Sequence, residues 1–326
     1  MTPVIRTVDP AAPAGPALTE AAALIRAGGL VAFPTETVYG LGANALDPEA
    51  VRGIFAAKGR PSTNPVIVHV ADAAAAHALV RAWPEEAQAC AARWWPGPLT
   101  LVLPRAGHIP DEVTAGLDGV AVRVPAHPVA RALIAAAERP IAAPSANRSN
   151  ALSPTMAQHV ARGLGDRVSL ILDGGPCEVG LESTVLDLTG PVPTVLRPGG
   201  VGVDELRALL GEVRIRESSV GDAVARSSPG MMARHYAPRA RVVRFRESLP
   251  ATPEAQWGAL VLRARAPGAH LTCSMPADPG AYARAFYAAL HDIDEAGCAV
   301  VFIEEPPEGE AWRAVRDRLT RAAAPA

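Results

Sequence analysis

Hydrophobic positions change period several times along the first two hundred residues. LTEAAALIRAGG (18–29) places its apolar side chains on one helical face, with Thr19 as the expected cap and Gly28-Gly29 as the stop. LVAFP (30–34) follows as an apolar run of strand length. DPEAVRGIFAAKG (47–59) predicts a second helix, with Asp47 at the N-cap and Pro48 at the first helical position. Further strands are expected at 66–70, 99–103, 120–124, 141–144, 168–172, 183–188 and 194–198, and helices near 127–138, 154–164 and 203–211. This alternation predicts an α/β fold built on one twisted, mixed open sheet with flanking helices.

The periodicity fails between about 214 and 240, where RESSVGDAVARSSPGMMARHYAPRA is rich in Ser, Gly and Pro. RVVRF, GALVL and CAVVFI then read as strands, and 280–296 and 309–323 as helices. The expected organisation is a larger α/β domain over 1–213, a linker over 214–241 and a smaller α/β domain over 242–326.

Composition narrows the function classes. Apolar residues make up 49 % of the 326 residues and charged residues 20 %, as in a packed globular chain. The formal net charge of −2 gives no global reason for strong nucleic-acid binding. Cys90, Cys177, Cys273 and Cys298 form no C-x-x-C pair, so neither a zinc site nor a redox motif is indicated. Spread thiols, the lack of a signal-like start and the lack of any uncharged apolar run near ~18 residues predict a cytoplasmic chain without a membrane span.

Arginine is common, yet Lys58 is the only lysine, and asparagine occurs only at 44, 64, 147 and 150. A scarce residue type marks places where the commoner substitute does not serve. KGRPSTNP (58–65) sets Lys58, Arg60 and Asn64 on one helix end and loop. A lysine is a compact point charge and an arginine a fixed fork, a pair suited to phosphate; the plain alternative is a helix end whose cation complements the dipole.

Three other stretches carry candidate chemistry. FPTETVYGLGANA (33–45) reads as a strand end followed by a hydroxyl-rich turn. APSANRSNALSPT (143–155) sets Ser145 and Asn147 beyond a short strand, where α/β sheets bind ligands, with Ser153 as the expected N-cap of a helix starting at Pro154. DGGPCEVGLESTVLDL (173–188) with LRPG (196–199) leaves backbone room beside a ligand. His69 in VIVHV and Arg123 in VAVRV are either structural strand residues or site groups. No G-x-x-x-x-G-K-[ST] or G-x-G-x-x-G occurs.

In combination and order, GGLVAFPTETVYGLG, AAKGRPSTNPVIVHV, WPGPLTLVL, VAVRVPAHP, APSANRSNALSPT, GLESTVLDLTGPVPTVLRPGG and SPGMMARHYAPRA resemble the threonylcarbamoyl-adenylate synthases, the YrdC-like proteins. The part beyond 240 is similar to the extension of the long form, with a Rossmann-like domain. The resemblance implies a nucleotidyltransferase that makes threonylcarbamoyl-AMP and pyrophosphate from L-threonine, bicarbonate or CO2, and ATP with Mg2+. The product serves threonylcarbamoyladenosine formation in tRNA, through hand-over to a separate transfer complex.

By the same resemblance Lys58 and Arg60 are catalytic. Asn64, Ser145, Asn147, Ser153, Arg197 and Tyr236 join them on the ATP side, and Thr37, His69, Arg123 and Ser183 surround threonine. His69 orients a substrate or accepts a proton. The linker is expected to cross the site and bring His235 and Tyr236 to it. Threonine often stands four residues before the strand arginine in the family, but Gly119 stands there in this chain. No dedicated protein metal site is expected. Two other readings compete: a double-stranded-RNA or ribosome-associated binding module of the same fold, with weak RNA binding, and a carbamoyl-transfer domain of the hydrogenase-maturation type. The latter normally sits among zinc-finger segments, and this chain has no Cys pair.

Overall fold

The computed structural model describes residues 3–216, 235–250 and 255–325. Most of the linker expectation, 217–234, falls outside the described residues.

In chain order the first part comprises β1 (Val4–Thr7), α1 (Pro16–Arg26), β2 (Val31–Phe33), β3 (Gly40–Asn44), α2 (Pro48–Lys58), β4 (Ile67–His69), α3 (Ala73–His77), α4 (Glu85–Trp94), β5 (Leu99–Pro104), α5 (Asp111–Thr114), β6 (Gly119–Arg123), α6 (Pro128–Ala137), β7 (Ile141–Ala142), α7 (Ala157–Leu164), β8 (Leu170–Asp173), β9 (Thr184–Asp187), β10 (Thr194–Arg197), α8 (Val203–Leu210) and β11 (Arg214–Ile215). The second part comprises β12 (Arg241–Phe245), β13 (Trp257–Val261), β14 (Leu271–Ser274), α9 (Pro279–Glu295), β15 (Val300–Glu304) and α10 (Arg313–Ala322).

Eleven strands form one sheet in the order β1-β8-β2-β3-β7-β4-β6-β5-β9-β10-β11. The pairings are mixed: β4 and β6 run parallel, while β3, β7 and β4 alternate in direction. Period-two alternation divides the side chains between the two faces. Ala32, Val68, Leu101, Val122, Leu186 and Val195 share a core with α2, α4, α7 and α8. Val31, Phe33, Ile141, Leu170 and Leu172 pack under α1 and α6 instead. On that second side Ile67, Val102, Ala121, Val185 and Leu196 form a separate small cluster.

The second sheet is all parallel, in the order β12-β15-β13-β14. Its core is not private. Val38, Leu152 and Leu181 of the first part pack with Tyr282, Phe286, Tyr287 and Leu290 of α9 and Val315 and Leu319 of α10. Burying a Val or Leu side chain contributes on the order of 1.5–3 kcal/mol, so this contact between the two parts is a folding interaction.

Several local expectations change. Helix α1 starts at Pro16, with Gly15 at its N-cap, so Thr19 lies inside it and its hydroxyl donates to the Gly15 carbonyl; proline's fixed φ starts the helix a turn early. Helix α7 starts at Ala157 with Met156 at the cap, and Ser153 does not cap it. That start lies beyond reach of a Ser153 cap, and the Ser153 hydroxyl instead donates to a Glu182 oxygen at 2.5 Å. Asp47 caps α2 as expected, accepting from the Glu49 and Ala50 amides. Strand β3 lies within the stretch read as a turn.

Candidate active site

Helix α2 ends on Lys58, and Gly59 follows at φ +60°, a left-handed turn that glycine adopts without a Cβ clash. The reversal sends Lys58 and Arg60 in different directions. The Lys58 ammonium is buried and donates to the Ser145 and Asn147 carbonyls, both at 2.5 Å, and to Asn147 Oδ1 at 3.3 Å. Three donors meet three acceptors. Burial, followed by the charge of Arg60, pulls the Lys58 pKa well below its ordinary value. Ser145 Oγ donates to Asn147 Oδ1, and Asn147 Nδ2 donates to the Ala151 carbonyl. Lys58 therefore organises the Ser-Ala-Asn loop from behind.

Arg60 faces a cavity. It is anchored by Nε to the Asn64 carbonyl and Nη2 to the Pro65 carbonyl, and burial pushes its pKa down to about 10. The cavity wall brings together Thr35, Thr37, Arg60, His69, Arg123, Ser145, Glu182, Ser183, Arg197, His235 and Tyr236, with Ile67 and Ala143 among its apolar members. Lys58, Asn64, Asn147 and Ser153 stand behind this wall, each touching a residue in or beside it. Free space inside is about 40 Å³, on the order of one water's share of the liquid.

The site does not lie at strand carboxyl ends alone, as the Ser145 expectation assumed. His69 ends β4 and pairs in register with Arg123 at the end of the parallel β6. Ser145 lies beyond β7, which runs antiparallel to β4. Ser183 precedes β9. The cavity thus spans the face of the short central strands, between Phe33, edge-on to His69 at 6.2 Å, and the Ile67 cluster.

Arg123 is held by two hydrogen bonds and one ion pair, and its Nη2 has no hydrogen-bond partner among the described residues. Nε donates to the Gly97 carbonyl, Nη1 to Thr37 Oγ1, and Nη2 pairs with Glu36 Oε1 at 2.7 Å. Glu36 lies in the motif FPTETVYG, yet its part was missed from sequence because its partner is 87 positions away. Ser183 Oγ shares a hydrogen bond with Thr100 Oγ1 and accepts one from Arg197 Nη2. Burial, then Arg123, pushes the His69 pKa down to about 3. In this arrangement His69 is thus held as the neutral imidazole. Burial beside Arg60, Lys58, Arg197 and Arg318 likewise keeps His235 neutral.

His235 and Tyr236 line the cavity, with Tyr236 at φ +60°. A left-handed non-glycine residue costs roughly 1–3 kcal/mol and marks a constrained position. His69 Nδ1, His235 Nδ1 and the Tyr236 hydroxyl are buried with no hydrogen-bond partner among the described residues. Such groups cost about 1–3 kcal/mol each and fit a wall that completes its bonding on a ligand.

Among the described residues no group of His, Cys, Asp and Glu could hold a metal ion. The nearest carboxylates, Glu36 and Glu182, are paired with Arg123 and Arg318. The residues present do not form a protein cage for Mg2+.

The family model for Sua5, YciO and YrdC proteins, described as telomere recombination, matches residues 23–199. A second model, the C-terminal domain of threonylcarbamoyl-AMP synthase, matches 201–324. The threonylcarbamoyl-AMP synthase of Pyrococcus abyssi is 46 % identical over 93 % of this chain and 92 % of its own. That of Bacillus subtilis is 49 % identical over 69 % and 65 %. The crystal structure of P. abyssi Sua5 complexed with L-threonine superposes with a TM-score of 0.89 at 41 % identity, covering 98 % of this chain and 97 % of that one. Both halves of the fold and the ordered motifs around its cavity agree with these matches, and the chain belongs to the Sua5/YciO/YrdC family.

Proposed function

We infer that this chain is a threonylcarbamoyl-AMP synthase. It joins L-threonine, bicarbonate or CO2, and ATP into threonylcarbamoyl-AMP with release of pyrophosphate, for threonylcarbamoyladenosine formation in tRNA. The observation that carries the reading is one narrow cavity in which Arg60, Arg123 and Arg197 converge with Thr37, His69 and Ser183, in a chain similar along nearly its whole length to a threonylcarbamoyl-AMP synthase.

The reaction sets two demands. The neutral threonine amine attacks carbon to give a carbamate, and a carbamate oxygen then attacks the α-phosphorus and expels pyrophosphate. The second step drives an anion toward a polyanion, so fixed cations supply much of the rate. Arg60 and Arg197 offset that charge from the wall. Lys58 acts through the Ser145–Asn147 loop it holds, and Asn64 through Arg60. Arg123, locked by Thr37, Gly97 and Glu36, presents its remaining face to the threonine carboxylate. Ser183 reads the threonine hydroxyl, and neutral His69 orients the amino acid. Mg2+ enters as the counterion of ATP.

With free space of only about 40 Å³, the cavity as it stands cannot take both substrates. His235 and Tyr236 withdraw to admit substrates and return to exclude water, which would hydrolyse both the carbamate and the mixed anhydride. The product passes to a separate transfer complex, and the chain works in the cytoplasm. The direct test is pyrophosphate release with each substrate omitted in turn. Release that needs threonine and bicarbonate supports the reading; release indifferent to threonine overturns it.

A further inference from the structure

One buried cluster ties the second sheet to the cavity. Glu182, next to Ser183, forms part of the wall and is 5 % exposed. Its carboxylate accepts from Ser153 Oγ at 2.5 Å, from Tyr287 of α9 at 3.2 Å to each oxygen, and from Arg318 Nε of α10 at 2.6 Å. Arg318 is 0 % exposed. Its Nη2 donates to the Pro198 carbonyl, one residue after Arg197, and its guanidinium carbon lies 5.0 Å from the Tyr236 ring centre. The Tyr287 ring stands 5.9 Å from the same ring. His291 of α9 lies 3.1 Å from the Ser153 carbonyl.

The two parts meet backbone to backbone. Gly180, at φ +77°, is so close to α9 that an added Cβ would lie 2.4 Å from Arg284 Cα. No side chain could intervene, so α9 and the loop that leads to Glu182 keep a fixed spacing.

A buried ion pair is a poor way to gain stability alone, since an apolar pair of similar volume often does as well. This one points inward. Apart from Asp317, its neighbour on α10, which accepts from Arg318 Nη1 at 2.6 Å, the groups that Arg318 and Tyr287 hold are in the cavity wall, directly behind it, or on the arginine-bearing strand end. We propose that Arg318 and Tyr287 are positioning residues for nucleotide binding: the C-terminal domain sets Glu182 and the Tyr236 ring, and through Glu182 the Ser153 hydroxyl. The domain is thereby a structural part of the active site. This rests on the ATP-side placement of Ser153 and Tyr236.

The test uses the full chain and two titrations followed by calorimetry, one with α,β-methylene-ATP and one with L-threonine. Tyr287→Phe removes only the hydroxyl. Arg318→Met paired with Glu182→Gln removes both charges, so no uncompensated charge is left buried. Each folded variant is expected to weaken the nucleotide analogue about tenfold or more, with threonine changed by less than about twofold. Wild-type affinity for the analogue in both variants, or an equal loss for both ligands, would overturn the proposal. If the unmodified chain releases no threonine-dependent pyrophosphate, the synthase reading fails instead, and the titrations still decide whether Arg318 governs nucleotide binding.

Discussion

Lys58 Nζ stands 2.5 Å from both the Ser145 and the Asn147 carbonyl oxygens, 87 and 89 positions further along the chain. The one lysine of the sequence thus works as a strut between the end of α2 and the loop after β7. A planar guanidinium cannot place three donors on three converging acceptors from that stem.

Lys58→Arg is therefore expected to overpack the loop and to cost about 1–3 kcal/mol of stability. Synthesis should fall by about a hundredfold or more, because a displaced Ser-Ala-Asn loop misplaces reacting groups. Denaturant unfolding and steady-state pyrophosphate release measure the two effects. A variant of wild-type rate would remove the strut from the account.

Arg123→Lys keeps a charge but gives up the fork that joins Thr37, Gly97 and Glu36. The KM for threonine should rise by about tenfold or more, with the KM for ATP nearly unchanged. A rise confined to ATP would place Arg123 on the other substrate.

Ser183→Ala should narrow the preference for L-threonine over L-valine. The loss of one buried hydrogen bond, on the order of 1–3 kcal/mol, corresponds to roughly a 5- to 150-fold change in the ratio of kcat/KM values. An unchanged ratio would show that the hydroxyl is read elsewhere.

Acid should destabilise the fold before carboxylates titrate. Burial holds His69 and His159 to about 3 and His291 to about 4, below the ordinary 6.5. Above pH 6.5 these histidines are neutral in both states and contribute nothing. As the pH falls, the unfolded chain binds protons that the folded chain refuses, so stability is lost from about pH 6.5 down toward the folded values. At pH 5 His69 alone removes about 2 kcal/mol. Chemical denaturation at pH 7.5 and pH 5 should show that drop; equal stability would mean that the imidazoles titrate freely when folded.

Part of this was legible in the sequence because the signals are local. Asp47-Pro48 starts a helix and Gly59 ends it, so Lys58 and Arg60 could be placed at a turn. His69 and Arg123 could be put on strands, though not opposite each other, because register is a property of two segments. Strand β3 was hidden because Gly40–Asn44 carries turn-like residues; Gly42 is packed so closely that a Cβ would lie 2.7 Å from Phe33. The pairs Glu36–Arg123 and Glu182–Arg318 span 87 and 136 positions. A lone carboxylate in a motif gives no sign of its distant partner. Ser153 shows the same limit: its local pattern suits a cap, but α7 starts at Ala157 and the hydroxyl's partner is a glutamate 29 residues on.

The central claim is that one cavity holds threonine and ATP together while carbon dioxide or bicarbonate becomes the link between them. Incubation with carbon-labelled bicarbonate and ATP, with and without L-threonine, followed by separation of the nucleotides, tests it most directly. Label should appear in an adenylate only when threonine is present. Label in an adenylate without threonine, or none with all substrates supplied, would contradict the account.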